Sequence, residues 1–382
     1  MTVLKDNFLF YNYRIKITHS LNKISKIDLS KQTCMIDYSN CIINTVSVHR
    51  VGNKTNGDDL KLSKSPIDTS DELLTDLLMR FFLFPMTSSE LYNFTFTNED
   101  FTLNPLYTYT TQLFDSPKTV HKQTVNIAKH LYEVSNHPQI KAGDLFVTHF
   151  TDVSVDGVGM DAIGIFKSEN KQSFLKLDAR GEEFSLDFED GINIEKLDKG
   201  CLIFNTDREN GLKVCIVDKS NKSSEAQFWK DIFLMLRPCV NEYHYTKQFM
   251  DITKNYVTQK FTEEFEVTKA DQIDVLNRSM NYFKTHDTFD KKEFEDEVLQ
   301  DKGVIKSFRN FDENFREEHS IEMEDSFDIS TPAVKKQARL FKSVLKLDKN
   351  FHIYIHGDKE LIEQGVDSDG RKFYKIYYKE ES

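Results

Sequence analysis

The chain has 382 residues, 39% of them hydrophobic and 29% charged, with 31 Phe and 15 Tyr as bulky core material and only 14 Gly and 7 Pro. That balance excludes a collagen-like or largely disordered chain and predicts a folded protein with room for two or three domains. Its formal net charge of −12 repels polyanions, so any nucleic-acid contact requires a local basic surface.

The opening MTVLKDNFLFYNYRIKITHS has neither the apolar stretch nor the cleavage site of a signal peptide, and no run reaches membrane-span length. Five cysteines, at 34, 41, 201, 215 and 239, are scattered without a C-x-x-C, as expected of reduced thiols in a cytoplasm.

Alternating apolar runs over the first 60 residues predict strands. A helix follows, capped by Thr69 or Ser70, with Leu73, Leu74, Leu77, Leu78, Phe81 and Phe82 as its apolar stripe and Pro85 beyond its end. A second helix is expected over 119–135. From 144 to 219, apolar runs separated by Gly, Asn and Asp predict an antiparallel meander. The polar stretch 220–227 is the domain boundary candidate. Beyond it FWKDIFLMLR predicts a buried helix stopped at Pro238, and Thr268 and Asp271 have capping-box spacing. Two further helices, 290–300 and 303–318, are expected to join at a turn on Gly303. Strands return at 340–347 and in the tail. The expected fold class is α+β: a mixed domain (1–222) with an antiparallel sheet and flanking helices, then a mainly helical domain (223–382) closed by a short β-strand pair.

Few motifs carry chemistry. GVGMDA (157–162) matches the dinucleotide fingerprint in letters, but it leads into a strand and reads as a hairpin turn. Asp161, Glu169 and Lys171 resemble the D…E-x-K set of metal nucleases, yet SENKQS is too polar for the strand that set requires, and a turn is favoured. His244 and Gln248 share a helical face without a zinc pattern. His352 and His356 stand about 13 Å apart along a strand, too far to share a metal. DSDG (367–370) is too short for a calcium loop and reads as a turn. Nothing points to a catalytic residue, cofactor or metal.

Charge is segregated near the end. Residues 287–328 hold fifteen Asp and Glu against six Lys and Arg, whereas 331–349 hold Lys335, Lys336, Arg339, Lys342, Lys346 and Lys349 against Asp348 alone. Positions 335, 339 and 342 share a helical face, which would neutralise phosphates without reading sequence.

The order of segments resembles the bacterial nucleoid-associated protein family of the NdpA type. VSVHRVGNK (46–54), NPLYTYTTQLF (104–114) ahead of a helix, GDLFVTHF followed by DAIGIFKS, FWKDIFLMLRPCVNEYHYTKQF (228–249) and LDKNFHIYIHGDKELI carry the likeness. The resemblance implies a nucleoid-localised, DNA-associated bacterial protein without enzymatic activity or cofactor.

The expected DNA contacts are therefore Lys335, Lys336, Arg339, Lys342 and Lys346, with Arg50 and Lys54 beside His49 as a weaker second patch. Binding is expected to be non-specific and salt-dependent. The alternative is a scaffold recruited to the nucleoid by a protein partner through the acidic 287–328 region; a divalent-metal nuclease ranks third. No membrane partner is expected, and a homodimer is left open.

Overall fold

The computed structural model describes residues 36–87, 90–116, 120–180, 183–219, 227–338, 341, 344–347, 349–355 and 361–380. The strands expected before residue 36, most of the 220–227 boundary, Arg339, Lys342 and His356 lie outside the described residues.

A nine-stranded sheet with only antiparallel pairings organises the first half. Its strands are β1 (Ile36–Asp37), β2 (Ile42–Val51), β3 (Leu60–Lys61), β4 (Leu91–Phe94), β5 (Gly143–Val155), β6 (Val158–Ser168), β9 (Lys199–Phe204), β10 (Lys213–Asp218) and β11 (Leu236–Pro238). Between β6 and β9 the chain makes a separate ribbon, β7 (Gln172–Arg180) with β8 (Glu183–Gly191). The order across the sheet is β11-β4-β10-β9-β6-β5-β2-β3, with β1 paired to β5. Asp156 (φ 52°) and Gly157 (φ 80°) turn β5 into β6, an Asp-Gly pair in the left-handed backbone that matches strand twist.

Three helices cover the sheet: α1 (Glu72–Leu83), α2 (Pro105–Asp115) and α3 (Val120–Val134). Strand alternation sends Leu145 and Val147 to one face and Phe146 and Phe150 to the other. The first face packs under α2, α3 and the π-helical turn Phe228–Leu234, which buries Trp229 and Phe233. The second packs under α1, where Phe82 stacks on Phe166 at 4.4 Å between ring centres. Gly164 is required here, because a Cβ would lie 2.3 Å from the Phe166 ring and 2.8 Å from Phe150.

Several local expectations shift. Asp71, not Thr69 or Ser70, caps α1 by accepting from the Leu74 N–H. Leu73 and Leu77 of the predicted stripe stand 65% and 37% exposed, and Leu83 takes a core place instead. NPLYTYTTQLF does not merely precede a helix; it forms α2, with Asn104 as cap and Pro105 in the first turn, where a missing N–H costs nothing. The helix over FWKDIFLMLR ends at Met235 (φ 51°), and Pro238 lies in β11, on the sheet edge where proline is tolerated.

The second half is helical: α4 (Glu242–Asn255), continued by a π-turn and Phe261–Glu264, then α5 (Lys269–Thr285), α6 (Lys291–Phe294), α7 (Lys302–His319) and α8 (Thr331–Gln337). Thr268 and Asp271 form the expected capping box on α5. The break before α7 falls at Gln300 (φ 64°) and Asp301, whose carboxylate caps the helix; Gly303 is already inside the first turn. This half has its own aromatic core, in which Phe289 stacks on Phe327 and Phe283. A miniature pair, β12 (Thr288–Asp290) with β13 (Ser326–Asp328), ties its ends.

Two strand pairs, rather than one, close the chain: β14 (Val344–Leu347) with β15 (Phe351–Tyr354), and β16 (Ile362–Val366) with β17 (Lys372–Ile376) across the DSDG turn. They pack Leu345, Ile353, Ile362 and Tyr374 around Ile273 of α5. The molecule is α+β, antiparallel sheet first and helices second. No described helix is long and apolar enough to cross a membrane.

Candidate nucleic-acid interface

Helix α8 starts on Thr331 and Pro332 and buries Ala333, Val334 and Gln337 against α4 and α5. Helical geometry then turns Lys335 and Lys336 outward, and both are exposed. Lys346, on β14, is exposed as well. Neither Lys335 nor Lys346 forms an ion pair among the described residues.

Lys336 is committed differently. Its Nζ lies 2.7 Å from Glu90 Oε2, while Lys247 Nζ lies 2.7 Å from Glu90 Oε1. Burial pushes the Glu90 carboxyl up, but the two ammonium groups outweigh it and hold the group at about 2. Lys336 also sits 5.9 Å over the Tyr243 ring. Two cations on one carboxylate leave a net charge of +1, and the same contacts tie α4 and α8 to residue 90 beside β4. An open cleft of about 370 Å³ next to Lys336 is lined by Glu90, Asp218 and Asp231 as well as Lys230, so it is no anion pocket.

The second patch splits by strand alternation. His49 points inward from β2: its Nε2 meets Thr124 Oγ1 at 3.0 Å and its Nδ1 accepts the Ser63 N–H at 3.2 Å. Burial, helped by His121, pushes it down to about 4, so it is neutral at pH 7 and serves to dock α3. Arg50 points outward, 2.9 Å from Asp144, and Lys171 reaches the same carboxylate at 3.5 Å. Lys61 stands opposite Arg50 across the strand pair. Two cations thus share one carboxylate at the end of the sheet, and Lys61 flanks Arg50 on the other side. Lys54 forms an exposed pair with Glu133 at 2.6 Å. Lys61 and Lys171 were not in the expected set, because only cross-strand register brings them beside Arg50, and a single sequence does not carry that register.

Metal chemistry finds less support. Asp161 and Glu169 sit eight residues apart along one extended run, about 26 Å at strand rise. Asp161 contacts His149 at 3.0 Å, and Glu169 is held inside by Lys167 at 2.9 Å. These carboxylates do not converge. Among the described residues one group, His286 with Glu293 and Glu297, brings three ligating side chains within 4.8 Å. His286 Nε2 lies 4.0 and 3.7 Å from the two carboxylates, an ordinary distance for loose ion pairing on an acidic surface. His244 hydrogen-bonds Gln248 at 3.0 Å, as their shared helical face predicts.

The acidic region is also rearranged by folding. Of the fifteen Asp and Glu in 287–328, Glu295 and Asp312 are buried and thirteen stand exposed. Glu295 takes Arg309 in a two-pronged pair, and Asp312 takes Lys291 at 2.8 Å and Arg316 at 2.7 Å. Half of the segment's six cations are thereby used on buried carboxylates, leaving Lys292, Lys302 and Lys306 among the thirteen.

No curated protein matches the chain. The sequence profile of the nucleoid-associated protein YejK family matches residues 47–380, from β2 through the last strand pair. That span covers both the sheet and the helical half, and the chain belongs to this bacterial family of nucleoid-associated proteins.

Proposed function

We propose that the chain is a non-enzymatic nucleoid protein of the cytoplasm that contacts DNA directly, without a cofactor, through a local basic surface. The surface comprises Lys335, Lys336, Arg339, Lys342 and Lys346, with Arg50 and Lys54 as a second patch that Lys61 and Lys171 extend. Family membership supports the nucleoid assignment. The observation that carries direct contact is the exposure of Lys335 and Lys346 without carboxylate partners among the described residues, within the stretch 331–349 whose sequence holds six cations against Asp348 alone. Point charges of this kind engage phosphates and carry no base readout.

The test is a titration of the full chain against unrelated duplexes over a salt series. Affinity should fall linearly with salt on logarithmic axes and be equal for the unrelated sequences. Neutralising Lys335, Arg339, Lys342 and Lys346 together should weaken binding uniformly and reduce the slope by about one for each phosphate left without its cation. An unchanged slope, or no salt-dependent binding by the native chain, rejects the proposal.

A second reading is recruitment by a basic protein partner through the exposed carboxylates of 287–328. Reversing Glu313, Glu317 and Glu318 to Lys should then disperse the protein from the nucleoid in cells while DNA affinity in vitro does not fall. Retained localisation removes that reading.

A further inference from the structure

Residues 172–191 leave the main sheet as a two-stranded ribbon paired from Gln172 with Gly191 to Arg180 with Glu183. Alternation gives it two unlike faces. Lys176, Asp178, Glu183, Asp187 and Glu189 belong to one. The other carries the rungs Leu175–Phe188, Leu177–Leu186 and Ala179–Phe184. On that second face Leu175 is 76% exposed, Leu177 63%, Phe184 70%, Leu186 64% and Phe188 64%. A lone ribbon has no second layer to cover such a face, and a contiguous apolar patch on a folded protein marks an interaction surface.

We infer that this face binds a second copy of the chain, the two ribbons stacking face to face and antiparallel about a two-fold axis at the Leu177–Leu186 rung. Size supports this occupant, and charge excludes polyanions and sets the orientation of the stack. At 100–150 Å² for each large side chain, the five offer roughly 600 Å² per copy and about 1,200 Å² for the pair, at the lower bound of stable specific interfaces. Antiparallel stacking sets Leu175 of one copy over Ala179 of the other, large on small, as interdigitated cores require. Base-to-base stacking, about an axis along the strands, would set Ala179 over Phe184 and Leu175 over Phe188.

Charge selects the antiparallel arrangement. Asp190 is the acidic residue at the base of the apolar face, where it accepts from Ser173 Oγ at 2.6 Å. Antiparallel stacking keeps the two copies of Asp190 at opposite ends, whereas base-to-base stacking would force them together. Over 172–191 there are six Asp and Glu against Lys176 and Arg180, so DNA and anionic lipid are repelled. The inference is independent of where DNA binds.

Sedimentation equilibrium of the full chain should give a dimer, and the double variant Leu177→Asp/Leu186→Asp should give a monomer. Its circular dichroism and urea midpoint, extrapolated to low protein concentration, should match the native chain, because both side chains face outward. In a separate variant, Leu177→Cys should be captured by a short bismaleimide far more efficiently than Asp178→Cys on the charged face. A native chain that is monomeric at high micromolar concentration, a double variant that stays dimeric, or equal capture of the two thiols overturns the inference.

Discussion

The sheet half and the helical half solve burial differently. In the sheet, aromatic rings of β5 and β6 meet α1, and the most deeply buried charges are ammonium groups at strand ends, Lys167 and Lys199, held by Glu169 and Asp218. The helical half is as aromatic inside, yet it also buries Asp312 and Glu295 and holds each with guanidinium or ammonium groups. Three of the six cations of 287–328 are thereby committed to buried carboxylates, and thirteen exposed carboxylates remain. Segregation of charge on the outside is thus partly a consequence of how the helical core is built.

The largest expected effects come from breaking each half by its own means. Phe82→Ala removes the α1 ring stacked on Phe166 and should cost about 3–5 kcal/mol through the cavity it leaves. Asp312→Ala strands Lys291 and Arg316 and should cost a similar 3–5 kcal/mol, as removal of one partner from a buried ion pair does. The contrast lies in rescue. Asp312→Ala should recover in part when Lys291 is also changed to Met, whereas the same lysine change should do nothing for Phe82→Ala. Denaturant unfolding of these four variants and of Lys291→Met alone measures both, and additive costs at 291 and 312 would break the comparison.

A smaller effect is expected where the halves are tied, at Glu90. Its folded value of about 2 lies below the ordinary carboxylate value of 4.5, so the ionised form favours the fold. The contribution is complete above about pH 4.5 and is lost as pH falls toward 2, for a total of about 2–3 kcal/mol. Glu90→Gln should remove that part of the acid sensitivity while lowering stability at neutral pH. Unfolding free energies at pH 7 and pH 3 for both proteins provide the check, and an equal acid loss in the two would show that the tie contributes nothing.

The halves also differed in legibility. Period-two alternation and turn chemistry made the meander readable, including the Asp-Gly turn and the polar SENKQS connection, because both signals are local. The α5 capping box was readable for the same reason. What local pattern did not carry was partnership across space: that Asp144 gathers Arg50 and Lys171, that Glu90 takes Lys247 and Lys336, and that β11 adds to β4 at a sheet edge. The apolar stripe of α1 was over-read, since periodicity locates a face but not how much of it the sheet reaches. For the site, Lys335 and Lys346 kept the exposure that their position suggested, while Lys336 and Arg50 acquired partners from segments far away in the chain.

The smallest predicted effect compares two helix caps. Thr268 caps α5, whose first turns are buried at Ala270, Gln272 and Ile273 and packed against the closing strands. Asp71 caps α1, whose first turns leave Leu73 65% and Leu74 38% exposed. Each side chain satisfies an orphan N–H, worth about 1 kcal/mol on average. Fraying at α5 would carry core packing with it, so Thr268→Ala should cost about 1 kcal/mol or slightly more. At α1 the fray would release side chains already in water, and Asp71→Ala should cost roughly half as much. Urea unfolding of the two variants ranks them. Equal costs would mean that the exposed start of α1 is held by something other than its packing on the sheet, and the contrast between a helix anchored at its cap and one anchored at its far end would fail.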